Sequence, residues 1–487
     1  MFGLFKPKVR TVVQRPSPVP KIRRFNGARP DRLAGGFGLR NTTMLAEEHR
    51  IDLMGMVQHS RLLAQNNDYM RAFLMMCRRH MVGARGIKYN PQARNAAGKL
   101  DKADNKLLAK AFAKWGERGN ATVCGRFNWL EMQWIAAMVA PRDGGVFIRF
   151  FRGRDFGPFG FQIQFLTVDR LDVGFNAELG NGAYVHGGVE CDRYDRPVAW
   201  HFLKRNQVNG YQLSGERVRV PASDIVYLAL PEDYSVQLRM PWAHTAVRRL
   251  NMFHGFEEAA LTNARVGASK MGFVVRGLDA DVNDIPTDKE PEVEDLEPGT
   301  VETLPIGHDF KSFDPDFPNN EMPSFIKAIL RGAASGLGVS YNGIANDLEG
   351  TNFSSLHVGK SEERDEWQIL QAWLADAMHN EIVKQWLPMA ILTGAINLPF
   401  SKLEKFLECE WQPRGWRAVN PLQEATANVT NVESGFTSPQ RVAAQNGEDI
   451  EQIYEEIAAA KEKAESLGIA FTPVVQSIFD TNQQQSE

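Results

Sequence analysis

Residues 354–387, SSLHVGKSEERDEWQILQAWLADAMHNEIVKQWL, read as one amphipathic helix, too long for the core of an ordinary small domain. Trp367, Leu370, Leu374 and Met378 recur on one face at helical spacing, with Ile369, Trp373, Ile382 and Trp386 beside them. At about 1.5 Å per residue the segment would reach roughly 50 Å. Ser354 or Ser355 is a candidate cap, and Pro388 a candidate stop. Two apolar faces on one long helix predict a neighbour on each side.

The rest of the chain alternates between helical and strand-like patterns. Residues 46–82 carry apolar positions three and four apart, with a break predicted at QNND, 65–68, and an end at Gly83 or Gly86. The methionines Met70, Met75, Met76 and Met81 read as core filling. Residues 105–140 read as helical with a break near Gly125. Between 145 and 229 the pattern shortens to β-branched and aromatic runs separated by turns, a sheet-rich region. Residues 241–270 return to a helix, with Pro241 in its first turn and Val247, Leu250, Phe253, Ala260 and Ala264 as its stripe. Further helices are expected at 420–436 and 447–467, the second with Ile450, Ile453, Tyr454, Ile457, Ala464 and Leu467 on one side.

Charge is unevenly spread. Residues 1–40 hold ten Lys and Arg against one acid, Asp31, so a +9 arm precedes a body of net −12 in a chain of net −3. Pro16, Pro18 and Pro20 keep that arm from forming a helix, and it reads as a solvated tail or as a contact for an acidic partner or nucleic acid. A protein that grips phosphates along its whole length would be strongly basic, and this one is not. Residues 279–299 carry nine acids, one lysine and three prolines, the composition of a surface loop without calcium-loop spacing. The four cysteines are far apart with no CxxC pair, which favours a reducing compartment. The longest apolar run, 386–396, is too short for a membrane span, and the N-terminus lacks the apolar core of a signal peptide.

Catalytic signatures are missing. ARNAAGKL, 93–100, lacks the first glycine and the hydroxyl of a phosphate-binding loop. GLGVSYNG, 336–343, has Tyr341 where a dinucleotide fingerprint needs glycine, and reads as the end of one helix and the start of the next. There is no HExxH and no GxSxG, and His379 beside Glu381 reads as a solvated pair. No enzyme, cofactor or metal is expected.

Several strings, in order, resemble the lambda-type family of tailed-bacteriophage portal proteins. They are Arg61, Leu62, Gln65, Asn66 and Asn67 with VGARGI, 82–87; FLTVDRL, 165–171; GGVECDRYDRPVAWHF, 187–202; and VPASDIVYL, 220–228, with QLRMPW, 237–242. Met240 stands where the family usually has glycine. The most telling stretch is AASGLGVSYNGIANDLEGTNFSSLHVGKSEERDEW, 333–367, with Phe353 for tyrosine and His357 for arginine. WQPRGWRAVNPLQEATA, 411–427, with Asn420 where aspartate is common, then 433–458 and SLGI, 466–469, follow the closing pattern.

The resemblance implies an α+β portal-protein fold with an α/β wing, a long helical stem, a small α/β clip and a helical C-terminal crown region. Laid on this chain, 1–45 would be the basic arm and 46–353 the wing. Residues 354–387 would be the first stem helix, 388–418 the clip, 419–436 the second stem helix, 437–446 the tunnel loop, and 447–487 the C-terminal crown helix and tail. The implied function is a twelve-subunit ring at one capsid vertex, a channel for packaging and ejecting double-stranded DNA. Its implied partners are terminase, major capsid and scaffold proteins, and neck or head–tail connector proteins. Its implied place is the virion after assembly in the bacterial cytoplasm, with no membrane. Candidates for facing DNA are Asn428, Asn431, Glu433, Ser434, Gln440 and Arg441. Lys402, Glu404 and Lys405 are candidates for the terminase or neck face, and Trp367, Leu370, Trp373 and Leu374 for the subunit interface. Another virion ring or scaffold component, such as a head–tail adaptor, is the alternative, and a packaging enzyme the third class.

Overall fold

A computed structural model describes residues 45–205, 213–268, 272–276, 308–312, 321–349, 352–416, 420–448 and 450–469. The basic arm up to residue 44, the acidic segment 279–299 and the tail after 469 lie outside the described residues.

The QNND break falls where polar side chains compete with the helix backbone. Helix α1, Leu45–Asn66, ends there, and the Asn67 side chain accepts the Met70 amide at 2.9 Å to start α2, Asp68–Cys77. A π-helical turn, Arg78–Val82, continues α2 until Gly83 adopts φ 72°. Strand β1 is Lys88–Pro91. Helices α3, Lys102–Trp115, and α4, Trp129–Asp143, flank the loop around Gly125. Asn128 and Glu131 cap α4 reciprocally. Met70, Met76 and Met81 are buried, as core filling requires, whereas Met75 is only half-buried.

Strand β2, Val146–Arg152, pairs with β3, Phe161–Leu166. Strands β4, Ala177–Gly180, β5, Ala183–His186, β6, Val189–Cys191, β7, Pro197–Arg205, and β8, Leu213–Pro221, follow as a five-stranded antiparallel meander. Strand β9, Ile225–Leu228, returns to the free edge of β2, giving the order β3-β2-β9. Period-two alternation makes β2 a divider between two cores. Val146, Ile148 and Phe150 face the main core, while Phe147 packs with Leu53, Val57, Trp200, Phe202 and Val220 in a second one.

Helix α5 is Val247–Ala268, so it starts after the expected Pro241. Residues 241–246 form turns, with His244 and Ala246 amides bonded to the Pro241 and Ala243 carbonyls. Val247, Leu250, Phe253 and Ala260 form its buried stripe. Strands β10, Gly272–Arg276, and β11, His308–Ser312, pair antiparallel. Helix α6, Met322–Leu337, ends at Gly338 with φ 67°, and Ser340 caps α7, Tyr341–Ala345. GLGVSYNG therefore joins two helices, as its glycines indicate.

The longest helical segment is α8, Phe353–Leu374, a π-helical turn Ala375–Asn380, and α9, Glu381–Leu392, run together. Pro388 lies inside α9 and does not stop it. A missing N–H and a ring clash cost about 3 kcal/mol, but Trp386, Leu387 and Ala390 on the same turns are fully buried. The chain turns away only at Gly394, φ 78°.

The buried face of α8 is the expected one, but its partner is not. Trp367 is 2% exposed, Leu370 6% and Leu374 0%, all within this subunit's main core, and Trp373 packs on Trp242 at 5.9 Å. Trp367, Leu370 and Leu374 are therefore core residues rather than interface residues, while Trp373 is half-buried beside them. Trp386 belongs to an aromatic cluster with Phe112 at 5.1 Å and Trp115 at 6.3 Å, and Trp115 meets Trp129 at 5.6 Å.

Residues 388–416, most of the segment expected as the clip, pair back onto the body. After α9 come a 3₁₀ turn, Phe400–Lys402, helix α10, Leu403–Leu407, and strand β12, Cys409–Gln412, which pairs with β1 from Lys88↔Gln412 to Pro91↔Cys409. The segment expected to be a clip is stitched to the first third of the chain.

One glycine tests this packing. Gly144 has φ 82°, and a Cβ there would run into the Arg239 carbonyl and Met240 backbone. Gly98 has φ 75° with nothing within 4 Å. Gly144→Ala is expected to lose several kcal/mol, Gly98→Ala only about 1 kcal/mol; urea unfolding of the two variants compares them. Equal losses would contradict the close approach.

Candidate functional site

The C-terminal helices carry the candidate DNA-facing residues. Asn420 accepts the Gln423 amide and Pro421 occupies the first turn, which starts α11, Pro421–Glu433. Ser438 caps α12, Pro439–Gln445, through the Arg441 amide at 3.3 Å. Residues 437–446, expected as a tunnel loop, are thus mostly a short helix, because Ser-Pro is a helix start signal. Helix α13 is Ile450–Ser466.

Helix α11 has no buried residue, and Leu422 is 72% exposed. Thr426 and Thr430 turn their hydroxyls back to the Leu422 and Thr426 carbonyls at 2.9 Å, which leaves their methyls outward. Phe436, just after the helix, is 80% exposed. Asn428 is half-buried, while Asn431, Glu433, Ser434, Gln440 and Arg441 are exposed. The Asn431 carbonyl accepts the amides of Phe436 and Thr437, so the turn after α11 is held by main chain and the polar side chains stay outward. On α13, Tyr454 and Ile457 are exposed and only Ala464 is buried, and Leu467, just after the helix, is exposed. Exposed ion pairs Lys102–Glu451, 2.9 Å, and Arg85–Glu448, 2.6 Å, tie its N-terminal end to the body. Such pairs contribute little each. Sequence reading missed Leu422 and Phe436; isolated large apolar residues on an otherwise polar helix were the available signal.

Of the residues expected to face terminase or neck proteins, Lys402 and Glu404 are exposed. Lys405 is not available in the same way: its ammonium bonds Asp101 at 2.7 Å and Asp104 at 3.0 Å, anchoring α10 to the start of α3.

The recognised strings hold the subunit together. Arg61 forks onto the fully buried Asp143 at 2.8 and 3.0 Å and reaches Asp169 of FLTVDRL at 2.7 Å. Glu190 takes Arg219 at 2.7 Å and His201 at 3.0 Å across the meander. Tyr341 donates to Asp347 at 2.7 Å, and Ser340 to Glu363 at 2.9 Å, which fixes α7 between α6 and α8. These are structural locks rather than reactive groups.

Each π-helical turn carries a histidine. His379 is wholly buried, its Nδ1 bonded to the Leu374 carbonyl at 3.0 Å; it is not the solvated pair with Glu381 read from the sequence. His80 stacks on Trp367 at 5.0 Å and accepts from the Trp416 indole at 3.2 Å. Burial pushes both imidazoles down to about 4, for His80 with help from Arg414, Arg79 and Arg364. Below the ordinary value near 6.5, the unfolded chain takes up protons that the folded one refuses. The histidine contribution is therefore present in full above 6.5 and is lost as pH falls towards 4. A urea midpoint that drops between about pH 7 and about pH 5 is expected; a flat profile would contradict neutral, buried histidines.

Among the described residues no group of three or more His, Cys, Asp and Glu is placed to hold a metal, and no helix is long and apolar enough to cross a membrane.

The comparisons agree with the recognised strings. Residues 35–371 match the family model described as phage portal protein, lambda family. The chain is 29% identical over 421 residues to the probable portal protein of Halomonas phage phiHAP-1, covering 85% of this chain and 81% of that protein. It is 22% identical over 175 residues to portal protein B of Escherichia phage lambda, covering 34% of this chain and 33% of that one. A chain from the virion of a native gene transfer agent particle superposes with a TM-score of 0.46 at 15% identity, over 82% of this chain and 99% of that one. With a family match over more than half its length, this chain belongs to the lambda family of phage portal proteins.

Proposed function

We propose that this portal protein forms the twelve-subunit ring at the unique vertex of the capsid, through which double-stranded DNA enters and leaves. The observation that carries this reading is the unpartnered apolar surface of the C-terminal helices: Leu422, Phe436, Tyr454, Ile457 and Leu467 are 72, 80, 50, 45 and 65% exposed in the single subunit. A soluble chain rarely leaves so many large apolar groups in water without a partner, and a heterologous contact repeated around an axis covers them with no free end. Helices α5 and α6, which expose Met252, Leu261 and Phe325, and α8, which exposes Val358 and Ile369, add to this interface surface.

Electrostatics fits passage rather than grip. Each cation that neutralises a phosphate releases counterions and deepens a well along the DNA. With the arm set aside the chain is net −12, and a wall of that sign keeps the wells shallow. Asn428, Asn431, Glu433, Ser434, Gln440 and Arg441 face the passing duplex, with 419–436 and 437–446 as stem and tunnel segments. Lys402 and Glu404 mark the face for terminase and then neck proteins, while capsid and scaffold proteins contact the wing, 46–353. The protein assembles in the host cytoplasm and remains in the virion.

Thiol protection tests the channel placement. With the exposed Cys124 replaced by serine, Asn431→Cys and Gln440→Cys in particles stalled during packaging are expected to react with a maleimide more slowly than in empty rings. Equal reactivity with and without DNA would remove these residues from the lumen.

A further inference from the structure

An open groove of about 1410 Å³ lies between the five-stranded meander and residues 222–237. Its walls carry Tyr184, Trp200 and Tyr234, and Tyr234 is fully exposed. Its acids are Glu47, Glu178 and Asp195, and among the described residues no lysine or arginine lines it. Asp195 accepts the Tyr184 hydroxyl at 2.7 Å, and Glu47 bonds Arg50 at 2.6 Å and His186 at 2.9 Å. The groove is thus aromatic, polar at its rim and acidic.

Ala46 and Glu47, in the first turn of α1, are among its lining residues. The 44 residues outside the described structure on that side therefore join the chain one residue before this part of the lining. They contain the +9 surplus and the run RPSPVPKIRRF, 15–25. Proline at alternate positions fixes φ and removes amide donors, so such a segment binds by laying rings on aromatic side chains rather than by extending a sheet. Arginine adds stacking on tyrosine and pairing with carboxylates. The chain between Pro20 and Leu45 spans up to roughly 80 Å when extended, ample for the prolines to reach any part of the groove.

We propose that this groove is the docking site of the subunit's own N-terminal arm, with Pro16, Pro18 and Pro20 against Tyr184 and Tyr234 and the flanking arginines facing Glu178 and Asp195. The reading does not depend on ring formation. It makes the arm a strap across the outer face of the meander, and it leaves that arm unavailable to DNA while docked.

The experiment uses the full chain with Tyr234→benzoylphenylalanine, a photo-crosslinking side chain at a fully exposed position. Equal amounts of light and isotope-heavy protein are mixed before assembly and illumination. Cross-links from position 234 to peptides within residues 10–25, joining only light to light and heavy to heavy, are expected. Mixed light–heavy pairs would assign the arm to a neighbouring copy, and cross-links to other peptides, to added capsid protein or to nothing would leave the groove without its arm; each overturns the proposal. The double variant E178K/D195K should cut the cross-link yield about fivefold or more, on the scale of two exposed ion pairs lost, with circular dichroism unchanged. An unchanged yield in that variant would overturn the charge pairing.

Discussion

Trp386→Ala is expected to destabilise the isolated subunit by about 3–5 kcal/mol. The indole is fully buried, meets Phe112 edge-on at 5.1 Å, and has no hydrogen-bond partner for its Nε1. Its contribution is therefore burial and ring packing, and Trp386→Phe should recover part of the loss. Leu374→Ala, also fully buried on the same segment, should cost about 2–5 kcal/mol. Both losses appear in urea unfolding at protein concentrations too low for assembly, because these side chains are covered by their own chain. Were 354–387 an interface helix, the same substitutions would spare the lone subunit and weaken only the ring.

The second expected result is the mirror image. Leu422→Asp with Phe436→Asp should leave the subunit's unfolding midpoint within experimental error, since both side chains are already 72 and 80% exposed. Ring formation should fail, because central apolar anchors are worth roughly 2 kcal/mol or more each and the loss recurs at every contact around the ring. Sedimentation would then show single subunits where rings are expected of the parent chain. Normal rings from the double variant would move the interface away from α11.

What could be read from the sequence was local. The Asn67 break, the GLGVSYNG junction and the strand-rich stretch from 145 to 229 all rest on side chains that act within a few residues: a cap, a left-handed glycine, an alternating pattern. The apolar stripe through Trp367, Leu370, Leu374 and Met378 was equally legible as a buried face. Periodicity says that a face is covered and not what covers it, so the stripe alone points to a neighbouring subunit, whereas Trp367 stacks on His80 and Trp373 packs on Trp242 of its own fold. Pairing of β1 with β12 joins residues more than three hundred positions apart, which no local pattern encodes. The π-helical turns were invisible for a related reason, since they adjust the register of a helix to a core assembled from distant segments. At the candidate site, the caps of α11 and α12 were readable as Asn-Pro and Ser-Pro, whereas the exposure of Leu422 and Phe436 emerged only once the rest of the chain was folded around itself.

The most direct test of the whole account is single-particle electron microscopy of the purified full-length chain, with its mass measured in the same solution. The account predicts closed rings of twelve subunits around an opening wide enough for duplex DNA, with α11–α13 at subunit contacts or on the lumen. Single subunits persisting at high concentration, at varied salt and in the presence of the capsid proteins would contradict it.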